Sequence, residues 1–245
     1  MKILTDLHTH TNVSQHAFST LTENAKYAAE VGMELIACTN HGPTHQTTGE
    51  LGVHIWHFKN LSLVPRTVEG ITVLRGAETN IMDENGTLDI ENSLLAELDI
   101  VIASCHLEIF EPHNDESFKR IYTAVMDNPH VDILGHICRC KHLKYLDEII
   151  KLAAQKNKLI EINNSCFRRS YLLENAKLVV RKCLEHKAKI VVNSDAHICY
   201  QIGDFANAIK YLKEVGYPEE LIINRNKKTL TEHLSLRTKS SQFSE

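Results

Sequence analysis

Three histidines stand close together at the start of the chain, in the stretch MKILTDLHTHTNVSQHAFST. His8 and His10 are two residues apart, and side chains at that spacing in a strand point to the same face. Two imidazoles side by side suit a transition metal, and His16 follows them closely. Asp6 precedes the pair and is a candidate for orienting a ligand or carrying a proton, or for a structural role alone. A solvated strand with a chance His-x-His pattern is the alternative.

Similar groups recur at the ends of apolar runs along the chain. The runs are ILTDLHTH, LIACTNH, VLRGAE, DIVIASCH, VDILGH, LIEINN and IVVNSDAH. Together with His16, their polar ends provide nine candidate metal ligands: His8, His10, His16, His41, Glu78, His106, His136, Asp195 and His197. If these groups converge, repulsion and lost hydration would penalise them unless metal ions held them together. Imidazole with carboxylate suits zinc, manganese or iron.

The elements that carry these groups form a regular alternation. Continuous apolar runs of this length are typical of strands covered on both faces, as in parallel sheets. Thr20-Leu-Thr-Glu23 is a capping-box pattern that begins a helix ending at Gly32. Further helices are predicted at 116–127, 145–155, 171–186 and 204–215. The alternation predicts an α/β fold, either a barrel or an open doubly wound sheet.

The positions of the candidate ligands favour the barrel. In an open sheet, functional residues gather at one switch point, whereas in a barrel the C-terminal end of every strand faces one central site. Nearly every apolar run here ends in such a residue. We therefore predict a single domain at 1–237 and a flexible tail at 238–245, with a short helix over the barrel mouth in the long segment 42–67.

Composition excludes several classes of protein. The 245 residues are 43% hydrophobic and 24% charged, which is ordinary for a globular domain. A net charge of -4 without a dense Lys/Arg cluster argues against long nucleic acids and membrane surfaces as partners. The start lacks the apolar region of a signal peptide, and no run approaches the ~18 apolar residues of a membrane helix. We expect a cytoplasmic protein, with its oligomeric state left open.

The motifs DLHTH, TNHG, LRGAE, SCHLE, ILGH and NSDAH resemble, in order and spacing, those of the polymerase and histidinol phosphatase (PHP) family. The resemblance is closest to the small stand-alone phosphatase branch with a trinuclear metal site, and it runs from Asp6 to Asn226. It implies a distorted seven-stranded (β/α)7 TIM-like barrel that hydrolyses phosphoesters. Two departures stand out. Asn40 replaces a usual aspartate, which is expected to weaken the third metal site or to change the metal it selects. Ile137-Cys138-Arg139 replaces a usual His-Pro-Gly.

The resemblance also implies how the nine ligands divide among three divalent metal ions, with zinc favoured over manganese or iron. The first metal falls to His8, His10 and Asp195, the second to His106 and His136 with Glu78 as the bridge, and the third to His16, His41 and His197. A bridged metal pair lowers the pKa of a shared water, so that a metal-bridging hydroxide serves as the nucleophile. The chain has no convincing G-x-S-x-G or P-loop pattern.

Phosphate also requires fixed hydrogen-bond donors. Arg168 and Arg169 follow the run LIEINNS, and Arg139 follows His136, so these arginines are candidate phosphate ligands. His57, in the long segment, is a candidate contact to the substrate or its leaving group. For each arginine the alternative is exposure to solvent.

These observations predict a metal-dependent phosphoesterase that acts on a small phosphorylated metabolite, with a phosphomonoester favoured. One alternative is a nuclease or nucleotide phosphodiesterase. The modest net negative charge argues against long polynucleotides as its substrates. The other is a non-catalytic, metal-binding regulatory module, which missing ligands would indicate. None of the nine candidate ligands is missing.

Overall fold

Strands and helices alternate along the chain in the computed structural model, which describes residues 1–44 and 52–236. The strands are β1 (Thr5–Thr9), β2 (Leu35–Cys38), β3 (Thr67–Val68), β4 (Ile71–Asn80), β5 (Ile100–Ser104), β6 (Ile133–Gly135), β7 (Leu159–Asn163) and β8 (Ile190–Asn193). The helices are α1 (Leu21–Glu30), α2 (Ile55–Lys59), α3 (Asn92–Leu95), α4 (Asp115–Asp127), α5 (Leu146–Gln155), α6 (Ser170–Glu185), α7 (Ala206–Glu214) and α8 (Lys227–Ser235). The tail at 238–245 lies outside the described residues.

Seven parallel strands form a nearly closed barrel. Their order is β1-β2-β4-β5-β6-β7-β8, and a backbone bridge between Thr9 and Ala196 brings the chain after β8 back to β1. The predicted seven-stranded TIM-like barrel is confirmed, and the open sheet is excluded. The short strand β3 pairs antiparallel with β4 and was not predicted, nor were α3 and α8. No helix within the described ranges is long and apolar enough to span a membrane.

A local sequence signal sets the N-terminal end of helix α1. The Thr20 side chain accepts a hydrogen bond from the Glu23 backbone N–H, and the Glu23 carboxylate accepts one from the Thr20 N–H. This reciprocal arrangement satisfies two of the donors that a helix N-terminus otherwise leaves unpaired. The predicted capping box is therefore confirmed, and α2 is the short helix predicted within 42–67.

The barrel interior changes from apolar to polar along the strands. Every parallel strand contributes to one buried apolar cluster at the lower end, which includes Leu7, Leu35, Leu74, Ile100, Ile133, Leu159 and Val191. Because side chains alternate along a strand, two residues beyond Leu159 the interior position is Glu161. Glu78 lies four residues beyond Leu74 by the same rule. The packed lower end thus supports a polar floor at the C-terminal ends of the strands.

The seam between β1 and β8 is closed by a buried side chain as well as by backbone contacts. The Asn224 amide donates to the backbone carbonyls of Thr5 (2.9 Å) and Val192 (2.7 Å) and accepts from the Val192 N–H (2.9 Å). The Asn224 backbone carbonyl also accepts a hydrogen bond from the Thr5 hydroxyl (2.9 Å). Asn224 therefore connects the first and last strands of the barrel.

We predict that Asn224→Ala lowers the free energy of unfolding by about 2–4 kcal/mol, because it leaves buried backbone groups of β1 and β8 without partners. For a chain of this length the loss corresponds to a melting temperature roughly 5–10 °C lower. Asn207→Ala, on the exposed side of α7, is the matched control and should not shift the transition. Thermal unfolding followed by circular dichroism measures both. Equal melting temperatures would show that the seam does not depend on Asn224.

Candidate metal centre

Five histidine rings surround the carboxylate of Glu78, which is fully buried in the barrel. Its Oε2 atom lies 2.7 Å from Nδ1 of His41, 3.2 Å from Nε2 of His8 and 3.5 Å from Nε2 of His10. Its Oε1 atom lies 3.3 Å from Nε2 of His106 and 3.0 Å from Nε2 of His136. The Ser104 hydroxyl donates to Oε1 at 2.7 Å and fixes the carboxylate. Glu78 is therefore the geometric centre of the candidate ligands.

Asp195 reaches the same histidines from the opposite wall. Its Oδ1 lies 3.3 Å from Nε2 of His10 and 3.5 Å from Nε2 of His8. Its Oδ2 lies 3.7 Å from Nε2 of His136 and accepts a hydrogen bond from Arg139 at 3.1 Å. The chain after β8 thus adds a second buried carboxylate to the group around Glu78.

The last two candidate ligands form a neighbouring group. Nε2 of His197 lies 2.9 Å from Nε2 of His16, and the His197 Nδ1–H donates to the Asp195 backbone carbonyl at 2.9 Å. The His41 ring centre is 5.0 Å from that of His16 and 4.3 Å from that of His10. The structure therefore brings all nine predicted ligands together. His41 lies between the groups, because it contacts Glu78 as well as the neighbours predicted for it.

The donor atoms fit divalent transition metals. Four buried atoms, Nε2 of His8, Nε2 of His10, Oε2 of Glu78 and Oδ1 of Asp195, lie close together without a hydrogen-bond partner. Leaving such an atom unpaired costs about 1–3 kcal/mol, and a bound cation removes that cost. Several three-residue sets have donor atoms within 4.8 Å of one another, among them His8, His10 and Glu78, and His10, His41 and His197. Several such sets suit more than one ion.

The electrostatics of the centre show how strongly it attracts positive charge. Burial lowers the pKa of His8, but Glu78, Glu161 and Asp195 outweigh it and hold that pKa well above the ordinary value. Burial raises the pKa of Glu78, yet the facing imidazoles hold it well below its usual range. The pKa of His10 falls to about 3, chiefly through burial. The buried carboxylates therefore lie next to imidazole rings, and both kinds of group could bind the same cation.

Glu161 contacts two candidate ligands, His8 and His136, and was not among the predicted site residues. It is buried in β7, and Nδ1–H of His8 donates to its Oε1 at 2.6 Å. Its Oε2 accepts from the His136 backbone N–H at 3.1 Å, and Asn193 donates to Oε1 at 3.0 Å. A carboxylate on the far nitrogen of a histidine fixes the tautomer that presents Nε2 to a metal. The signal available was its place in the run LIEINN, where it is a lone carboxylate between two isoleucines.

Backbone and amide groups position three further candidate ligands. The His106 Nδ1–H donates to the Asn80 side-chain carbonyl at 2.6 Å, which directs Nε2 toward Glu78. His136 and Asp195 both adopt positive φ values, 52° and 58°. Such conformations are uncommon for residues with a side chain and cost on the order of 1–3 kcal/mol. The fold therefore maintains strained backbone at the points where these two side chains turn inward.

Asp6 and His57 lie apart from the ring of ligands. The Asp6 carboxylate accepts from the backbone N–H groups of Ser194 (3.2 Å) and Gly203 (3.1 Å), and burial raises the pKa of Asp6 to about 6. The His57 ring, on α2, is 3.1 Å from the Asn40 side-chain nitrogen. Burial lowers the pKa of His57. Their predicted roles in proton transfer and substrate contact stay predictions, and their observed contacts are structural.

The Asn40 side chain is linked to the candidate ligands through Ser14, while its backbone carbonyl accepts from the Glu78 N–H at 3.0 Å. Its side-chain oxygen accepts from the Thr11 N–H and from the Ser14 hydroxyl, both at 2.8 Å. The Ser14 oxygen in turn accepts from the His41 backbone N–H at 3.2 Å. The residue that departs from the family pattern therefore orders the loop after β1. Its expected effect on the third metal site stays a prediction.

An open cavity of about 590 Å³ lies above the centre. The three predicted arginines, Arg139, Arg168 and Arg169, line its wall together with Glu108. Arg168 also pairs with Asp204 at 3.2 Å. The cavity is therefore lined by cationic side chains together with candidate metal ligands, among them His106, His136, Asp195 and His197.

Comparisons with known proteins find solved structures of similar fold. Among solved structures, the histidinol phosphate phosphatase of Lactococcus lactis, solved with zinc, L-histidinol and phosphate, superposes with a TM-score of 0.58 at 16% identity. The match covers 87% of this chain and 94% of that chain. An archaeal ribonuclease P structure with mature tRNA superposes with a TM-score of 0.56 at 12% identity, covering 94% of this chain and 90% of its own. At these identities the likeness is one of fold.

Sequence relatives are much closer. A probable phosphatase of Clostridium novyi (strain NT) is 41% identical over 241 residues, covering 98% of this chain and 97% of the relative. A probable phosphatase of Clostridium botulinum (strain Langeland) is 42% identical over 235 residues, covering 96% of this chain and 95% of the relative. The model of the PHP domain matches residues 6–165, which carry β1 to β7 and seven of the nine ligands. The chain therefore belongs to the PHP domain family.

Proposed function

We propose that this protein is a metal-dependent phosphatase that hydrolyses small phosphomonoesters. The observation that carries the proposal is the buried Glu78 carboxylate with five imidazoles around it, at the floor of a cavity lined by arginines. Its closely similar relatives are named probable phosphatases, and the histidinol phosphate phosphatase of similar fold was solved with zinc and phosphate. Both findings support the proposal.

The nine ligands would hold about three ions, with zinc favoured by the imidazole-rich donor set over manganese or iron. When bound, such ions would supply hydroxide from water at neutral pH and polarise phosphate oxygens. Glu78 would contribute to the first two sites, while Glu161 and Asn80 hold the His8 and His106 rings in position. Arg139, Arg168 and Arg169 would donate hydrogen bonds to phosphate oxygens from the cavity wall.

The shape and charge of the cavity support a small substrate. A volume of about 590 Å³ lies in the range of small-molecule sites, roughly 300–1,000 Å³. The chain carries a net charge of -4, and a long polynucleotide would require an extended basic surface. The nuclease alternative is therefore less well supported than the phosphatase.

We predict that protein purified without chelator contains about three transition-metal ions per chain and hydrolyses p-nitrophenyl phosphate. Removing the ions should abolish turnover and lower the melting temperature, because the buried carboxylates then lack their cations. Elemental analysis, a phosphatase assay and thermal unfolding measure the three effects. Fully metal-loaded protein that is inactive on a panel of phosphomonoesters would refute the proposed function.

We predict that Glu78→Gln folds, loses metal from the first two sites and retains the ion held by His16, His41 and His197. Because the uncharged amide cannot bridge two cations, kcat should fall by on the order of a hundredfold or more. Metal content and steady-state kinetics measure these effects. Glu97→Gln, the same chemical change at an exposed position, is the control. Near-normal kcat with full metal content would refute the bridging role.

We predict that Glu161→Gln weakens metal binding at His8 by about 10- to 100-fold, because the ring loses the carboxylate that fixes its tautomer and raises its basicity. Competition with a chromogenic zinc chelator measures the affinity without requiring turnover. Circular dichroism tests whether the barrel is intact, and Glu97→Gln again serves as the control. An unchanged titration in a folded variant would limit Glu161 to a structural role.

A further inference from the structure

A smaller side pocket of about 150 Å³ adjoins the cavity above the metal centre. The two spaces share four lining residues, His106, Glu108, Arg139 and Arg169, so that the pocket begins where the cavity wall ends. None of the predicted metal ligands except His106 reaches it. The pocket is therefore placed to receive a part of the substrate other than the phosphate on the metals.

The charged groups of this pocket are predominantly cationic. Arg139 is only 23% exposed, and one of its terminal nitrogens donates to Asp195 at 3.1 Å. Its Nε–H is buried and has no hydrogen-bond partner. No ion pair to Arg169 occurs within residues 1–44 and 52–236. Arg139 is thus paired with Asp195 through one terminal nitrogen, while the exposed Arg169 guanidinium and the Glu108 carboxylate line the same pocket. An anion bound here would accept a hydrogen bond from the unpaired Nε–H of Arg139 and another from Arg169.

The remaining lining side chains are largely apolar, with Tyr171 at the exposed rim. Leu107, Tyr171 and Leu172 line the pocket with Cys105, and both Leu172 and Cys105 are buried. The volume equals that of about five water molecules, which is enough for a short carbon chain with one charged end. A large sugar or nucleoside would exceed it.

We propose that this pocket binds the alcohol half of the substrate, and that this half is a short chain ending in a second anionic group, a carboxylate or a phosphate. The inference rests on the proposed function and narrows its substrate class. On hydrolysis the bond from phosphorus to the ester oxygen breaks, water supplies the new oxygen and the proton, and the anionic alcohol leaves. The Nε–H of Arg139 and the Arg169 guanidinium are the donors to this anion. Arg169 is the one to substitute in a test, because Arg139 also contacts Asp195, a predicted metal ligand.

The test compares four phosphate esters with the same two-carbon chain on the zinc-loaded protein. Their free ends are neutral (2-hydroxyethyl phosphate), a carboxylate (2-phosphoglycolate), a second phosphate (ethylene glycol bisphosphate) and an ammonium (phosphoethanolamine). We expect kcat/KM for both anionic esters to exceed that for the neutral ester by about tenfold or more, the scale of a hydrogen bond to a charged group. The ratio between the carboxylate and phosphate esters shows which anion the pocket prefers.

Variants assign the preference to the pocket. Arg169→Ala should reduce the preference for the anionic esters to within about threefold, and Arg169→Lys should retain part of it, because lysine keeps the charge but loses the planar fork. Arg181→Ala, on the outer side of α6, should retain the full preference. A preference for phosphoethanolamine that is lost in Glu108→Gln would overturn the proposal, as would equal kcat/KM for all four esters.

Calorimetric binding keeps this inference separate from the proposed function. Tighter binding of 2-phosphoglycolate than of 2-hydroxyethyl phosphate, lost in Arg169→Ala, supports the anion pocket even if no ester is hydrolysed. Hydrolysis of p-nitrophenyl phosphate with equal binding of these two esters overturns the pocket and leaves the phosphatase intact.

Discussion

Three carboxylates, those of Glu78, Glu161 and Asp195, are buried side by side within reach of the same histidine rings. Anions placed so close together and so far from water repel one another, and only positive charge among them makes the arrangement stable. The rest of the upper barrel follows from this constraint. Imidazoles fill the space between the carboxylates, and the Ser104 hydroxyl and the Asn193 amide donate further hydrogen bonds to Glu78 and Glu161.

The apolar residues that stabilise the barrel and the charged residues of the candidate centre lie at opposite ends of its strands. The lower end is filled by apolar side chains, whereas β4, β7 and the chain after β8 carry buried carboxylates two to four residues later. Close backbone approach contributes as well. A side chain at Gly135 would collide with the Ser104 hydroxyl that holds Glu78, so that β6 must have a glycine at this point. Strained backbone at His136 and Asp195 is maintained by the same packing.

Charge is distributed unevenly between the surface and the cavity. The chain as a whole is mildly acidic, yet its arginines at 139, 168 and 169 converge above the floor of the cavity. Such a field attracts small anions to the centre without a surface that binds polyanions. The departure from the family pattern at Arg139 contributes directly, because this side chain contacts a predicted ligand and also reaches the neighbouring pocket.

The sequence by itself determined the seven barrel strands, most of the helices and the residue types of the candidate ligands. Apolar runs that end in histidine or carboxylate predicted the parallel strands, and the placement of those ends predicted that nine side chains meet at one mouth. These features could be predicted because they depend on period-two alternation and on local capping, which short stretches of chain specify.

Tertiary structure alone decided which partner each group has. Glu161 contacts His8 across 153 positions of sequence, Asn224 joins strands from opposite ends of the chain, and Asn40 turns toward Ser14 and His57 instead of a ligand ring. The pairing of Arg139 with Asp195 is of the same kind. Such contacts depend on barrel closure and on the conformation of loops far apart in sequence, so no local pattern encodes them.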